Sequence, residues 1–321
     1  MKCGIVIGKF YPPHRGHKYL IEYAQKQVDQ LTVIVCDRDN QTIPGAQRAA
    51  WIREIHPTLE VMVVKDIKHD DDSRLWAEYT KSFLGYTPDV VFTSEDYGDD
   101  YARYMGCEHV LVDRQRVMVP ISATLVKEDP LRYWDFMEPC VRQYFVKRVC
   151  IVGAESTGTT TLAQALAEHY KTVWVPEFGR GYSESKLPLG DAHVWRSDEF
   201  VFIAEEQNRI EDYLARSAKG IILRDTNAWA TCLWHERYMG YMSDDVAVVN
   251  NGRKYDVYIL TADDIPFVQD GTRDGKHIRH TMHERFEEEL KKQSVPYIVV
   301  SGNHEKRMQE SIRICDEVLK R

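Results

Sequence analysis

The sequence has 321 residues, of which 43% are hydrophobic and 29% are charged, and its net charge is −8. This length favours two domains, and the composition excludes a disordered or fibrous chain. The acidic balance argues against a nucleic-acid partner, although a local basic cluster can still bind a small anion. Seven cysteines without a Cys-x-x-Cys pair, no apolar run of membrane-spanning length and no signal peptide favour a cytoplasmic protein without a membrane partner.

Short apolar runs alternate with helical patterns along the first half of the chain. Strands are predicted at 2–7, 31–36, 60–65, 89–93 and 108–112, with helices near 17–30, 45–55, 73–85 and 97–105. The pattern restarts, with further strands predicted at 148–152, 172–175, 219–224, 255–260 and 296–300. Strands rich in β-branched residues that alternate with helices predict parallel sheets covered on both faces. We therefore predict an α/β protein of two tandem domains, residues 1–146 and 147–321.

The loop after the first predicted strand reads GKFYPPHRGH and begins at residue 8. His14 and His17 come at the start of the next helix, where unpaired N–H groups favour an anion. Gly8 and Gly16 allow the backbone to approach a ligand, and Lys9 adds positive charge. A phosphate site without a nucleophile suits nucleotidyl transfer, in which the enzyme positions two substrates and neutralises charge on the α-phosphate. The alternative is a helix cap and turn that bind no ligand.

This loop resembles the Gly-x-Phe-x-Pro-x-His-x-Gly-His signature of the nucleotidylyltransferase superfamily. The resemblance implies that Gly8, Phe10 and Gly16 contact ATP, and that His14 and His17 stabilise the transition state at its α-phosphate. A second element of that superfamily, Ile-Ser-x-Thr-x-x-Arg, is matched in ISATLVK by Ile121, Ser122 and Thr124. Lys127 replaces the arginine, and it keeps the charge without the planar fork that grips two oxygens. The resemblance implies that this segment also contacts ATP, and that the first domain is a Rossmann-like nucleotidylyltransferase.

The segment GAESTGTTT follows a predicted strand and precedes a helix, which is the context of a P-loop. Gly153, Gly158 and Thr160 fit the pattern, but Thr159 stands where lysine is expected. The backbone can still bind phosphates, and Thr160 is placed to meet Mg²⁺. The predicted ATP contacts of this kinase-like domain are Gly153, Glu155, Ser156, Thr157, Gly158, Thr159, Thr160, Thr161, Arg273 and Arg279. The two arginines are candidates to replace the lysine, and a glycine-rich turn without a ligand is the alternative.

Acidic residues follow two strands of the second domain. Asp225 ends an apolar strand at the sheet edge where ligands bind, and we predict that it acts as a general base or as a Mg²⁺ partner. A helix N-cap is the alternative. Glu177 and Arg180 follow another strand near the same edge. In the acidic run HDDD at 69–72, we expect Asp72 to cap a helix and the run not to bind a metal.

An adenylyltransferase domain followed by a P-loop kinase domain resembles the bifunctional NadR-type family of nicotinamide-mononucleotide (NMN) adenylyltransferases and ribosylnicotinamide kinases. The segments that carry this resemblance are FTSEDYG, VDRQR, DDSRLWAEYT, RVCIVGAESTG and VPEFGR. It implies NAD biosynthesis, with Mg²⁺ and ATP as cofactor and with ATP, NMN, nicotinamide riboside and NAD as ligands. Some members carry an N-terminal DNA-binding helix-turn-helix, and we expect none here because the first strand begins at residue 2.

The resemblance also implies roles for individual residues. Trp76 would stack on the nicotinamide ring, because a cationic ring binds well over an indole. Ser94, Glu95 and Arg116 would contact ATP, and Glu177 and Arg180 the riboside. The remaining tryptophans, at positions 134, 174, 195, 229 and 234, are predicted to be core residues.

Two alternatives to this function stay open, as does a homo-oligomeric state. Because Thr159 replaces the lysine, the second domain could be a non-catalytic sensor of a nucleotide or of NAD. The first domain could also use a different acceptor, such as phosphopantetheine, flavin mononucleotide or an alcohol phosphate.

Overall fold

The computed structural model describes residues 1–69, 72–190, 194–271, 273 and 275–320. The chain divides into two compact units, Met1–Tyr144 and Phe145–Arg321. Each unit contains a five-stranded parallel sheet with helices packed on it, which confirms the predicted α/β fold class. Within the described part of the chain, no helix is long and apolar enough to cross a membrane.

The first unit is built around a central strand. Its strands are β1 (Cys3–Gly8), β2 (Gln30–Asp37), β3 (Glu60–Lys65), β4 (Val90–Thr93) and β5 (Glu108–Leu111). Its helices are α1 (Arg15–Gln25), α2 (Gly45–Ile55), α3 (Ser73–Leu84), α4 (Gly98–Met105) and α5 (Ala123–Glu128), and α6 (Pro139–Phe145) leads into the second unit. The strand order is β3-β2-β1-β4-β5. The chain crosses over β1 between β3 and β4, so the carboxyl end of β1 lies where such sheets bind ligands.

The apolar run of β1 is buried on both faces of the sheet. Val6 packs in a cluster with Leu20 and Ile21 of α1. Ile5, which points to the other face, packs in a cluster with Tyr101 of α4. Burying an aliphatic side chain of this size contributes about 1.5–3 kcal/mol. This packing holds the end of β1, and the loop that follows it, in a fixed position.

The second unit repeats the arrangement. Its strands are β6 (Lys147–Gly153), β7 (Trp174–Val175), β8 (Ile221–Asp225), β9 (Val257–Thr261) and β10 (Tyr297–Val300). Its helices are α7 (Thr159–Tyr170), α8 (Phe178–Lys186), α9 (Ser197–Ala215), α10 (Ala228–Met239), α11 (Asp244–Asn250), α12 (Lys276–Lys291) and α13 (His304–Leu319). The order is β10-β9-β6-β8-β7, with parallel neighbours. The loop after the central strand β6 therefore lies at the carboxyl edge of this sheet.

The first predicted helix is shorter than the sequence pattern suggests. It was predicted over 17–30, but α1 starts two residues earlier and ends five residues sooner. Val28 continues the helical spacing, yet it packs against the core from the following turn. The chain leaves the helix there because the Asp29 amide donates to the Lys2 carbonyl (2.8 Å) and starts the pairing with β1.

The acidic run before α3 caps that helix. The Asp72 carboxylate accepts a hydrogen bond from the Leu75 amide (2.9 Å), which confirms the predicted cap. The second and third residues of this run, at positions 70 and 71, lie outside the described residues.

Candidate active sites

The loop from β1 to α1 ends in two interlocked histidines. His14 is the N-cap of α1, and its Nδ1 accepts hydrogen bonds from the amides of Gly16 (3.1 Å) and His17 (3.4 Å). Nδ1 of His17 accepts in turn from the His14 amide (3.3 Å). Because a backbone N–H can only donate, neither Nδ1 carries a proton, and the ring proton is on Nε2. Each imidazole thus retains an Nε2–H donor for a ligand.

The two imidazole rings are stacked and neutral. Their centroids lie 3.8 Å apart. Burial lowers the pKa of His14 to about 4, and the Arg116 charge contributes. Burial, followed by the charges of His14 and Arg116, lowers the pKa of His17 well below its ordinary value of 6.5. A Cβ at Gly16 would lie 2.9 Å from the His14 ring, so a larger residue there would displace the pair.

We expect acidification to destabilise the first unit through His14. Its folded pKa of about 4 lies below the ordinary 6.5, so the unfolded chain takes up the proton first. The His14 contribution to the free energy of unfolding is therefore complete above pH 6.5. It is lost as the pH falls toward 4, and the loss is at most about 3 kcal/mol. His14→Asn keeps a capping side chain that does not titrate. Urea unfolding at about pH 4.5 and pH 7 should show a smaller pH dependence in this variant, and equal dependence in both proteins would contradict the prediction.

The histidine loop opens on a cavity of about 650 Å³. The predicted site residues that line it are Gly8, Lys9, Phe10, His17, Trp76, Ser94, Glu95, Thr124 and Lys127. The predicted residues that do not line this cavity are His14, Gly16, Arg116, Ile121 and Ser122. Arg116 pairs with Glu95 (3.1 Å), Ser122 caps α5, and Ile121 is buried against Gly16. The structure thus brings the two sequence elements of the nucleotidylyltransferase signature to one place.

Two of these side chains are held in definite positions. The indole N–H of Trp76 donates to the His69 carbonyl (3.0 Å), which fixes the ring at the cavity wall. Nζ of Lys127 lies 5.9 Å from the centroid of the Tyr11 ring, which also lines the cavity. The positive charge of Lys127 therefore lies at the cavity, although an ammonium group cannot form the bidentate contact with two oxygens that arginine forms.

Sequence reasoning missed two residues of this site. Arg48 is fully buried, donates to the carbonyl oxygen of Lys9, and pairs with Asp37 (2.7 Å), so it joins the loops after β1 and β2. An arginine within a helical pattern is normally exposed, and nothing local marks this one. Asp66 directly follows β3 and lines the cavity with a buried carboxylate. The signal was available here, because a carboxylate after a strand is what identified Asp225.

The loop from β6 to α7 has the backbone of a phosphate-binding nest. Ser156 and Gly158 have positive φ angles of 59° and 85°, and α7 begins directly afterwards at Thr159. A Cβ at Gly153 would lie 2.2 Å from Oγ1 of Thr261, so only glycine fits there. Successive amides in such a conformation form a concavity that binds anions.

This loop lines a second cavity, of about 220 Å³. The predicted residues that line it are Gly153, Glu155, Ser156, Gly158, Thr159, Thr160, Thr161, Glu177, Arg180, Asp225 and Arg273. Two predicted ATP contacts support the loop with their side chains. Thr157 donates to the Ala154 carbonyl (2.7 Å), and Arg279 donates to the carbonyls of Ser156 (3.1 Å) and Ile265 (2.6 Å).

Two carboxylates meet in this second cavity. Asp225, the last residue of β8, accepts a hydrogen bond from the Thr160 hydroxyl. Burial raises the pKa of Asp225. Burial and the charge of Asp225 raise the pKa of Glu177 to about 8. The site therefore offers a hydroxyl–carboxylate pair, whose oxygens suit Mg²⁺, and a separate carboxyl group with a high proton affinity.

Aromatic side chains form another part of the wall of this cavity. They are Trp195, Phe200, Trp234 and Tyr238. The Trp195 ring centroid lies 5.0 Å from that of Phe200 and 5.5 Å from that of Tyr238. The buried Trp195 Nε1–H has no hydrogen-bond partner among the described residues. Trp195 and Trp234 pack against buried core clusters, as predicted, and they also line this cavity, which the sequence does not indicate.

Two family models match the chain. A cytidylyltransferase-like model covers residues 5–173, and an AAA-domain model covers residues 148–307. The trifunctional NAD biosynthesis/regulator protein NadR of Escherichia coli (strain K12) is 31% identical over 318 residues, covering 89% of this chain and 76% of that protein. The chain belongs to the NadR family.

NadR of Salmonella typhimurium (strain LT2) is 28% identical over 343 residues, covering 98% of this chain and 83% of that protein. Two crystal structures, of NadR protein in complex with NR and in complex with NAD and AMP-PNP, share the fold. Both have a TM-score of 0.77 and cover 100% of this chain and 96% of theirs, at 21% and 20% identity. The NadR-type resemblance is confirmed, and the chain is a nucleotidyltransferase with a kinase-like P-loop domain.

Proposed function

We propose that this NadR-family chain makes NAD in two ATP-dependent steps. The second unit phosphorylates nicotinamide riboside at its 5′-hydroxyl, and the first unit joins the resulting NMN to the adenylyl group of ATP, with release of pyrophosphate. Relatives named for NAD biosynthesis, and NadR structures holding NR, NAD and AMP-PNP, support this assignment. The observation that carries it is the pair of cavities, each bordered by a candidate phosphate-binding loop and by at least one indole ring.

In the adenylyl transfer, the chain positions two phosphates and supplies no nucleophile. A phosphate oxygen of NMN attacks the α-phosphorus of ATP, and the bond to pyrophosphate breaks. The Nε2–H groups of His14 and His17 donate to the oxygens on which charge develops. Lys9 and Lys127 balance the negative charge of the departing pyrophosphate. Neutral imidazoles suit this role. Because the pKa values of both rings are lowered, a change of pH around 7 leaves the number of N–H donors on each ring unchanged.

Trp76 borders the same cavity as the histidine loop and offers a face to the pyridinium ring of NMN. A cationic ring over an indole is stabilised by about 0.5–2 kcal/mol, which favours a pyridine nucleotide over a neutral acceptor. Ser94 and Glu95, after β4, remain the proposed contacts of the adenosine part.

In the second unit, Thr160 and Asp225 would hold the Mg²⁺ that accompanies ATP, because hydroxyl and carboxylate oxygens are the ligands this ion prefers. When bound there, the ion would supply positive charge to the β- and γ-phosphates. The two side chains are already hydrogen-bonded to each other. Their placement therefore does not depend on the arrival of the nucleotide.

We assign Glu177 to the riboside hydroxyl. The 5′-oxygen attacks the γ-phosphorus, its proton passes to the Glu177 carboxylate, and the bond between the γ-phosphorus and ADP breaks. With a pKa of about 8, the ionised form of Glu177 is a stronger base than an ordinary carboxylate, and a minority of molecules carry this form at pH 7. Trp195 and Tyr238 provide aromatic faces for the cationic nicotinamide ring in the same cavity.

A second candidate function is favoured by Thr159. Without the P-loop lysine, the second unit would bind a nucleotide or NAD as a sensor, and only the first unit would be catalytic. The identity of the acceptor is a separate question, because the histidine loop contacts only the nucleotide phosphates. Competition among NMN, flavin mononucleotide and phosphopantetheine tests it, and preference for a non-pyridine acceptor would contradict our assignment.

The test of the two-step proposal is an incubation with Mg·ATP and nicotinamide riboside alone, followed by chromatography. We expect NMN to appear first and NAD to follow. NAD from added NMN, without any product from the riboside, would favour the sensor function of the second unit. No NAD from either substrate would overturn the proposal.

A further inference from the structure

The second cavity has an unusual balance of charge. Four acidic side chains border it, those of Glu155, Glu177, Asp225 and Asp270. Among the described residues that line it, Arg180 and Arg273 are the two cations. The position where P-loops carry lysine is Thr159. The protein cations that bind the triphosphate of ATP must therefore come from outside the P-loop.

Both arginines point at one oxygen atom. Nη2 of Arg180 lies 2.5 Å from Oδ2 of Asp270, and Nη2 of Arg273 lies 3.1 Å from the same atom. Arg180 comes from α8, whereas Arg273 comes from the loop before α12. An anionic oxygen held by two guanidinium groups is the arrangement that arginines form around a phosphate oxygen.

The loop that carries Asp270 and Arg273 is hydrogen-bonded to the P-loop. The Val268 amide donates to Oγ of Ser156 (2.9 Å). Arg279, at the other end of this loop, donates to the Ser156 carbonyl (3.1 Å). These bonds hold the arginine pair beside the phosphate-binding nest.

We propose that Arg180 and Arg273 hold the γ-phosphate of ATP in place of the missing P-loop lysine, and that Asp270 occupies the position of that phosphate until ATP arrives. The inference rests on the proposed kinase function of the second unit. The family resemblance implies that Arg180 contacts the riboside, whereas this inference assigns Arg180 to the nucleotide. The phosphate and Asp270 compete for the same two guanidinium groups, so Asp270 opposes the binding of a γ-phosphate specifically.

Asp270→Asn tests this competition. The KM for ATP in riboside phosphorylation should fall by about threefold to tenfold. A neutral amide binds the two guanidinium groups less tightly than a carboxylate does, so the γ-phosphate displaces it more easily. The inhibition constant of ADP, which has no γ-phosphate, should stay unchanged. Glu184→Gln is the matched control, since Glu184 also pairs with Arg180 (3.0 Å) but lies outside the lining of the cavity. Equal changes for ATP and ADP, or a higher KM for ATP, would overturn the role of Asp270.

Arg273→Gln tests the replacement of the lysine. The kcat/KM for ATP should fall by about 10²-fold or more, as for other arginines that stabilise a transferred phosphoryl group. Adding Thr159→Lys to this variant should raise the kcat/KM for ATP by at least about tenfold, because the lysine then contacts the same phosphate. Adding Thr159→Lys to Glu177→Gln should restore nothing. A near-wild-type Arg273→Gln enzyme, or no rescue by the lysine, would overturn the assignment.

Equilibrium binding separates this inference from the proposed kinase function. If the riboside is not phosphorylated, the wild-type chain should still bind AMP-PNP more tightly than ADP through the arginine pair. Arg273→Gln should then remove that difference, while the first unit gives the same background in both proteins. Equal affinity of the wild-type second unit for the two nucleotides would overturn the inference whether or not the unit is a kinase.

Discussion

His17→Ala is expected to slow NAD formation from NMN and ATP by about 10²–10³-fold, the usual effect of removing one donor to developing transition-state charge. The loss should fall on kcat and leave the KM for NMN nearly unchanged, since the imidazole acts on the α-phosphate and not on the pyridine ring. His14 should still cap α1 in this variant, because its Nδ1 accepts from the Gly16 amide independently of the His17 side chain. Steady-state kinetics with NMN as the varied substrate measures the effect.

The same polypeptide contains the control for this variant. The proposed phosphorylation of nicotinamide riboside would depend on residues of the second unit, so its rate should match that of the wild-type protein. Loss of both activities would indicate a folding defect. An adenylyl-transfer rate within about tenfold of wild type would mean that the histidines serve only as helix caps.

Much of the first site could be predicted from the sequence, because its parts lie in contiguous segments. The loop GKFYPPHRGH follows a buried apolar strand, and its donors, glycines and helix start are neighbours in the chain. ISATLVK is also contiguous, and only the parallel sheet was needed to predict that both segments reach one edge. Lys127 shows the limit of this reasoning, because its contact with Tyr11 depends on the position of α5.

The residues that the sequence did not reveal are those whose role depends on contacts between distant segments. Arg48 stands in an ordinary helical pattern, and only the fold shows that its charge is buried between two loops. Trp195 is separated from the P-loop by tens of residues, and its apolar character alone predicted a core position. Tyr238 carries no local signal of a site, and only the fold places it beside Trp195 at the cavity. The ion pair between Arg180 and Asp270 has the same origin, because it joins α8 to a loop far along the chain.

Replacing Asp225 with asparagine is expected to reduce riboside phosphorylation by about 10³-fold or more, since the variant loses a charge at the proposed Mg²⁺ position, where such stabilisation amounts to several kcal/mol. The asparagine side chain keeps the size of the carboxylate and an oxygen that can accept from the Thr160 hydroxyl. Formation of NAD from added NMN should be unchanged, because we assign that reaction to the first unit. Initial rates of the two reactions, measured on the same preparation, test this expectation.

The stability of this variant distinguishes a functional Asp225 from a structural one. Burial raises its folded pKa above the unfolded value, so the ionised side chain destabilises the second unit at pH 7. Asp225→Asn removes that cost, and its unfolding midpoint should equal or exceed that of the wild type. Asp244→Asn, on the exposed first turn of α11, should change neither activity. If lost activity instead accompanied lost stability, Asp225 would act mainly by holding the P-loop, and the metal would need another carboxylate of the same cavity.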